Sequence, residues 1–371
     1  MTGLLTDAFQ EMLQSCTRGC QSCYGQYDRD LPCVPDISAQ LQRLALVHRI
    51  ILQCSIMPEL KSELSWSISR ANLLRDCARR YYYHYYLSWG GWKPEGPPAR
   101  RKAYTLKLMF NLDMLAGQIV HEVIREILDR QREGLTPTTC EQARKRAITR
   151  LRDAWRQSKE KLWRRNPKRF ANLFEHYYEH DIPRSRLEET REKVDTCIAN
   201  LFGSETFKSI QRAGVKHWLA IDQLDFFEFA GVKIYAVPDF ALRDGQTIRI
   251  YDWKTGKPNK DVERQLTCYA LFANKRWHVP LDCTVPLAVY LRSGEAERID
   301  VTEERSARLK DYIRTTLFDM MRLLRSVEHN LPRGIEAFSP TDDTTQCARC
   351  FFQELCESQP DQEEADLTLF S

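Results

Sequence analysis

Residues 237–257 have the sequence VPDFALRDGQTIRIYDWKTGK, which is the segment most informative about the fold. Strand-forming residues flank Asp244–Gly245, a dipeptide that favours a tight β-hairpin turn. Alternate residues of a strand face the same side of a sheet, so Asp252 and Lys254 are expected to project together. Asp239 lies on the neighbouring predicted strand and can reach the same place.

This group of two carboxylates and one ammonium suits a cation-dependent reaction. Buried charges without a partner are costly, whereas Mg²⁺ prefers one or two carboxylates together with waters and a substrate phosphate. Such an ion would polarise the phosphate and lower the pKa of an attacking water. Lys254 would position that water or neutralise the charge that develops on phosphorus. Taken alone, an Asp-x-Lys pair in a strand is more often a solvated face.

Two predicted helices bring further polar groups to this arrangement. His121 lies in the helical segment 117–122 and could supply a third metal ligand, which would admit Mn²⁺ as well as Mg²⁺. Gln265 and Tyr269 are four residues apart on the helix after the hairpin, so they share one face and could contact a phosphate or a base. A lone helical histidine is more often a satisfied core residue, and a Gln/Tyr pair is more often ordinary helix surface.

The remaining sequence alternates between helix-rich and strand-rich segments. Residues 65–87 are predicted to form one helix and residues 94–104, rich in Pro and Arg, a loop. Three strands are predicted within residues 216–254. Further helices are predicted at 113–132, 138–165, 168–180, 186–213, 260–277 and 304–329, and further strands at 284–291 and 297–301. The pattern indicates an α/β (α+β) fold, with a small mixed sheet flanked by helices.

The motifs occur in a recognisable order: GxxxH ending at His121, PD at Asp239, DxK at Asp252 and Lys254, and QxxxY from Gln265 to Tyr269. This order resembles the RecB-like nuclease domain of the PD-(D/E)XK superfamily, as does the opening SISR…CARRYYY segment. The resemblance covers roughly residues 63–356. It implies a restriction-endonuclease-like core with a helical insertion. It also implies metal binding by His121, Asp239 and Asp252, catalysis by Lys254, and assistance from Gln265 and Tyr269.

The same resemblance implies a metal-dependent DNA nuclease, acting as an exonuclease or end-processing enzyme on single-stranded DNA beside a possible helicase partner. Repair, recombination, CRISPR adaptation and phage defence all fit this activity. An alternative is a non-catalytic DNA-binding or scaffold subunit of a helicase–nuclease complex, and a third reading makes RNA the target. One departure is Asp222, which stands where the family often has a Glu and is not counted among the catalytic residues.

Thirteen cysteines are many for a chain that we expect to be cytoplasmic, and their clustering points to metal. Cys347, Cys350 and Cys356 form a C-x2-C-x5-C triplet near the end of the domain. On spacing alone, zinc and iron–sulfur are equally plausible for thiolates of this kind. With Cys77 in the opening helix, the triplet resembles the 4Fe–4S site of AddB-type and CRISPR-adaptation nucleases, which implies a structural cluster.

The ends of the chain carry separate signals. Cys16, Cys20, Cys23 and Cys33 supply four thiolates within eighteen residues, which suggests a Zn²⁺ site, although incidental clustering is an alternative. The chain ends in DLTLFS, which resembles the pentapeptide that binds the bacterial sliding clamp, although a tail without function is the more ordinary explanation. The predicted organisation comprises a Cys-rich metal-binding module at 1–36, a linker helix at 37–62, the nuclease domain at 63–356 and an acidic flexible tail at 357–371.

The charge is unevenly spread, because residues 144–169 hold twelve basic and two acidic residues, whereas the whole chain has a net charge of only +4. Trp155 and Trp163 lie within this segment. A basic stripe with aromatic residues suits a nucleic-acid backbone, whereas the alternative is a solvated helix with two tryptophans anchored in the core. The arginines expected to bind DNA are Arg144, Arg152, Arg156, Arg164 and Arg165. No apolar run is long enough to span a membrane, so no membrane association is expected.

Overall fold

The computed structural model describes residues 62–357, and these form the mixed α/β fold expected from the sequence. The helices are α1 (Ile68–Asp76), α2 (Ala78–Tyr82), α3 (Pro98–Lys107), α4 (Leu112–Arg132), α5 (Cys140–Lys159), α6 (Phe174–Tyr177), α7 (Arg184–Gly203), α8 (Glu205–Ala213), α9 (Asp261–Trp277), α10 (Glu303–Arg322), α11 (Thr344–Cys347) and α12 (Gln353–Glu357). The strands are β1 (Ser65–Trp66), β2 (Trp218–Ile221), β3 (Asp225–Phe229), β4 (Val232–Ala236), β5 (Phe240–Asp244), β6 (Thr247–Lys254), β7 (Thr284–Tyr290), β8 (Glu295–Arg298), β9 (Leu324–Ser326) and β10 (Leu331–Pro332).

The central sheet has five strands in the order β2-β5-β6-β7-β8. The hairpin predicted at Asp244–Gly245 is confirmed: β5 and β6 pair antiparallel, and Asp244 stands opposite Thr247. Strand β6 then pairs parallel with β7, because α9 carries the chain back to the starting edge of the sheet. The sheet is therefore mixed, with its longest strand in the middle.

Apolar layers cover both faces of this sheet. Ile248 and Ile250 of β6 belong to the core on the α9 side, together with Leu266. Tyr251 and Trp253 belong to the core on the opposite side, where α4, α5 and α7 pack against one another. The strand alternation places Asp252 and Lys254 on the α9 side, in line with these two isoleucines.

A second, three-stranded sheet has the order β1-β4-β3, so the expectation of three strands within residues 216–254 is wrong: this stretch contains five. The turn between β3 and β4 was missed because it is made by Ala230 and Gly231, both at positive φ. Gly231 is a turn signal, but alanine rarely adopts a positive φ, so this pair is weaker than Asp244–Gly245 and the two strands appear continuous in the sequence.

The predicted helix over residues 65–87 is wrong in its continuity. It is divided into β1, α1, α2 and a π-helical turn, Tyr83–Leu87. Cys77 causes the division, because its backbone is extended and its sulfur accepts the amide of Arg80 at 3.4 Å. Residues 94–104 are not entirely loop, since α3 begins at Pro98, where a proline is tolerated in the first helical turn.

Other helices are shorter than the periodicity predicted. The long helix expected over residues 186–213 is two helices, because Ser204 interrupts it and caps α8 through the amide of Phe207 at 3.1 Å. The helix expected over 138–165 ends at Lys159, and only α6 forms within 168–180. The helix expected over 304–329 ends at Arg322 and is followed by β9. Within residues 62–357, no helix is long and apolar enough to cross a membrane.

Candidate active site

The structure brings the predicted residues together beside the central sheet. Asp239 immediately precedes β5, Asp252 and Lys254 lie on β6, His121 comes from α4, and α9 contributes two more side chains. These two are Gln265 and Tyr269. Three separate parts of the chain therefore meet at the neighbouring strands β5 and β6.

Asp239 links the helical layer to the sheet. One of its carboxylate oxygens, Oδ1, lies 3.0 Å from Nδ1 of His121. The other, Oδ2, accepts the backbone N–H of Trp253 at 2.6 Å. This second bond fixes the carboxylate relative to β6, so the imidazole of His121 is held beside the strand that carries Asp252.

A second chain of contacts runs from the sheet into α9. The Lys254 ammonium lies 2.5 Å from Oδ2 of Asp252 and donates to Oε1 of Gln265 at 2.6 Å. Nε2 of Gln265 in turn donates to the hydroxyl of Tyr269 at 2.8 Å. The four-residue spacing on α9 places both polar groups on the face that covers β6. Lys254 is therefore fixed from both sides.

Burial and charge set the protonation of this site. Burial, together with the negative charge of Asp239, raises the pKa of Asp252 to about 6, even though Lys254 opposes the shift. Burial lowers the pKa of His121, but the adjacent Asp239 more than offsets that effect and raises it to about 9. The carboxylates of Asp239 and Asp252 thus repel each other in a buried site, and a bound cation would reduce this repulsion.

The donor set fits a hard divalent cation. Two carboxylates and one imidazole match the oxygen-rich ligands of Mg²⁺ or Mn²⁺, and Asp252 is 3% exposed in the floor of the site. Among residues 62–357, no three His, Cys, Asp or Glu side chains lie close enough together to hold a metal ion as they stand. In the structure Asp239 contacts His121, and Asp252 contacts Lys254. Both contacts would have to change for an ion to bind.

Gly117 sets the distance between α4 and the loop after β6. A Cβ atom at this position would lie 3.2 Å from Oγ1 of Thr255, closer than ordinary van der Waals contact. The first residue of the GxxxH motif is therefore small because the TG loop, immediately after Lys254, passes against the helix. His121 follows one helical turn later.

Sequence reasoning missed a pair at the edge of this site. Asp222, at the end of β2, has a positive φ of 43°, and its amide donates to the backbone oxygen of Asp239 at 3.0 Å. Its carboxylate accepts from Arg125 at 3.0 Å. Arg125 lies four residues after His121 and so on the same face of α4, which was the available sequence signal.

The sequence of the chain was compared with known protein families. The family described as the PD-(D/E)XK nuclease superfamily matches residues 65–357, well over half of the chain. The chain belongs to the PD-(D/E)XK nuclease superfamily. Membership implies a metal-dependent nuclease that hydrolyses phosphodiester bonds. A search among curated proteins found no match.

Four of the eight cysteines among residues 62–357 are those predicted to bind an iron–sulfur cluster. Cys77, Cys347, Cys350 and Cys356 line one cavity of about 470 Å³. Burial raises the pKa values of Cys350 and Cys356, and the neighbouring thiols act in the same direction. Cys77, at the break between α1 and α2, thus lines the same cavity as the C-terminal triplet.

Part of the basic segment, residues 144–169, forms ion pairs within the protein. Arg144 binds Asp195 of α7 at 2.6 Å, and Arg156 pairs with Asp153 on its own helix. Trp163 is buried and Trp155 packs on His176, with ring centroids 4.3 Å apart, so the structure favours core anchors over stacking surfaces for both. The other predicted DNA contacts, Arg152, Arg164 and Arg165, are exposed.

The predictions for the two ends of the chain lie outside the described residues. They comprise the Cys-rich module with Cys16, Cys20, Cys23 and Cys33, the linker helix predicted at 37–62, of which only residue 62 is described, and the acidic tail with its clamp-like end, residues 366–371. All of them stay predictions from the sequence.

Proposed function

We propose that this protein is a Mg²⁺- or Mn²⁺-dependent deoxyribonuclease of RecB-like type, which trims single-stranded DNA as an exonuclease or end-processing enzyme. The observation that carries the proposal is the set of linked contacts around β6. His121, Asp239, Asp252, Lys254 and Gln265 converge from distant parts of the chain. A fold kept only as a scaffold would not require these charged groups to share one buried place.

Three of these residues would bind the metal ion, and Lys254 would act on the phosphate. Asp239, Asp252 and His121 would hold the divalent cation, which when bound supplies Lewis acidity towards the phosphate and an attacking water. The water adds to phosphorus, the P–O bond to the leaving oxygen breaks, and the attacking water gives up a proton as the leaving oxygen gains one. Lys254 is positioned to stabilise the negative charge that develops on the phosphate oxygens.

Gln265 and Tyr269 act on this chemistry through Lys254. The Gln265 carbonyl oxygen accepts from the ammonium, and the Tyr269 hydroxyl fixes the amide from the other side. Burial raises the pKa of Tyr269 well above its ordinary value, so its hydroxyl stays neutral. The pair would therefore keep Lys254 at the sheet even without its contact to Asp252.

The test is digestion of labelled single-stranded DNA, duplex DNA and RNA by anaerobically purified protein, with Mg²⁺, Mn²⁺ or EDTA. We expect cleavage of single-stranded DNA that EDTA abolishes and that Asp252→Asn lacks. Asp244→Asn is the matched control, because Asp244 lies at the exposed end of the same hairpin. Binding of DNA without cleavage under any metal would favour the scaffold subunit instead, and preferential cleavage of RNA would change the substrate class.

We further propose that Cys77, Cys347, Cys350 and Cys356 hold a 4Fe–4S cluster that fastens α2 to the C-terminal helices. The shared cavity of about 470 Å³ supports this, because the four thiols come from opposite ends of the domain. Roughly four iron and four sulfide per chain are expected after anaerobic purification. Cys350→Ser should lose them, whereas Cys268→Ser, in the core behind β6, should not. Stoichiometric zinc without sulfide would assign the site to zinc.

A further inference from the structure

An aromatic cluster lies on the surface beside α3, outside the candidate active site. Trp92 is 40% exposed, although large aromatic side chains are usually covered in a folded chain. Its ring packs edge-on against Trp89, with centroids 5.1 Å apart, and against Tyr104 of α3, with centroids 6.0 Å apart. The Trp92 ring thus contacts an aromatic side chain on each of two sides, and the rest of it is exposed to solvent.

The backbone beneath this ring is tightly fixed. Gly90 has a positive φ of 77°, a conformation that glycine adopts without strain. A Cβ atom at Gly91 would lie 2.2 Å from the backbone oxygen of Arg100, so no other residue fits there. The turn is consequently held against α3. Trp92 is therefore already fixed in position, so it loses little conformational freedom when a ligand binds.

The surface around this ring is basic. Helix α3 carries four basic residues and no acidic one, and the turn before it adds Lys93 and one acidic residue, Glu95. Lys93 and Arg101 are exposed beside the aromatic cluster. On the other flank of α3, a cavity of about 430 Å³ is lined by Lys102, Lys161 and Arg164, together with two glutamates, Glu179 and Glu354.

We infer that Trp92, supported by Trp89 and Tyr104 and flanked by Lys93 and Arg101, is a binding surface for single-stranded DNA. The inference rests on the proposed function, because it concerns where the substrate strand is held. Unpaired bases expose a face that stacks on an aromatic ring, whereas bases in a duplex have both faces covered. The flanking cations match the phosphates of the same strand, which favours DNA over an apolar protein partner.

The test measures binding separately from cleavage. The Asp252→Asn protein is titrated in EDTA against fluorescein-labelled oligothymidine, and binding is followed by fluorescence anisotropy. Trp92→Ala should weaken the affinity about tenfold and Trp92→Phe much less, since a phenyl ring still stacks. Phe318→Ala is the matched control, because Phe318 is 61% exposed and also lies beside a cation, Arg322, but on α10. Circular dichroism confirms that each variant is folded.

The outcomes separate the two proposals. Binding that is weakened by Trp92→Ala and not by Phe318→Ala supports the proposed binding surface. A reduced salt dependence of DNA binding in Arg101→Glu supports it as well. Unchanged affinity in Trp92→Ala while the parent binds DNA overturns the surface and leaves the nuclease proposal standing. An equal loss in Phe318→Ala, or an equal loss for duplex DNA, overturns stacking by Trp92. Absence of both cleavage and DNA binding in the intact protein overturns the proposed function itself.

Discussion

Lys254 and Asp252 face each other across one residue of β6, with Nζ and Oδ2 separated by 2.5 Å. The ion pair is nearly enclosed, since the side chains of Lys254 and Asp252 are 22% and 4% exposed. A buried pair of this kind contributes little net stability, because desolvation offsets much of the attraction. Its presence at the meeting point of α4, β5 and α9 is therefore better explained by chemistry than by folding.

Lys254→Met tests the role of the ammonium, because methionine keeps most of the aliphatic stem. We expect kcat for single-stranded DNA to fall about 10²- to 10³-fold, since a charge aimed at the reacting phosphate is lost. Lys216→Met, at an exposed position, serves as control. Single-turnover rates measure the effect, and a change of less than about threefold would remove Lys254 from the reaction.

Gly117→Val tests the close approach of α4 to the loop after β6. A side chain there must push Thr255 away, so the loop that follows Lys254 should shift and activity should fall about tenfold or more. Gly203→Ala, at the end of α7, is the matched control because a Cβ there meets nothing within 4 Å. The control should retain activity, and equal activity in both variants would show that the loop position is unimportant.

The pKa of His121 predicts how the metal requirement depends on pH. Asp239 raises this pKa to about 9, so the imidazole is protonated below that pH when no ion is bound. A metal ligand must be neutral, so binding displaces a proton and weakens as the pH falls, by up to about tenfold for each pH unit. Mn²⁺ titrations of the initial rate between about pH 6 and 9 would measure this.

The His121→Asn variant provides the comparison for those titrations. It should need more Mn²⁺ at high pH and show a smaller change with pH, because its amide carries no proton to displace. A half-saturating Mn²⁺ concentration that stays constant with pH in the unmodified protein would contradict metal binding by His121.

Arg70 predicts a stability effect remote from the reaction. This arginine is 6% exposed, and its guanidinium donates to the Tyr81 hydroxyl at 3.0 Å and to Oγ of Ser65 at 2.9 Å. Its charge also lies 4.3 Å from the centroid of the Tyr85 ring. Arg70→Met removes the hydrogen bonds to both oxygens and the contact with the Tyr85 ring, so the free energy of unfolding should fall by about 2 kcal/mol.

The control for this change is Arg75→Met on the same helix. The side chain of Arg75 is 46% exposed and pairs with Asp76, so less than about 0.5 kcal/mol is expected. Urea denaturation followed by circular dichroism gives both values. An unchanged or increased stability of Arg70→Met would show that desolvation of the guanidinium outweighs its contacts.

The sequence was most informative where local geometry determines the outcome. The hairpin at Asp244–Gly245 and the shared face of Asp252 and Lys254 follow from strand periodicity and one turn dipeptide. The pairing of Gln265 with Tyr269 follows from helical periodicity. The missed turn at Ala230–Gly231 and the helix break at Gly203–Ser204 also have local signals, a turn glycine and an N-cap serine, but hydrophobic periodicity continues through both. The break at Cys77 has no such signal.

Motif order and alternation along single elements were enough to predict the family, the α/β class and the charged residues of the site. The individual contacts between distant residues required the folded structure. His121 lies against Asp239 across 118 positions, as the resemblance implied only in general terms, and Arg125 meets Asp222 across 97, which no motif indicated. Such contacts are selected by how two apolar layers close on the sheet, and no local pattern encodes that packing.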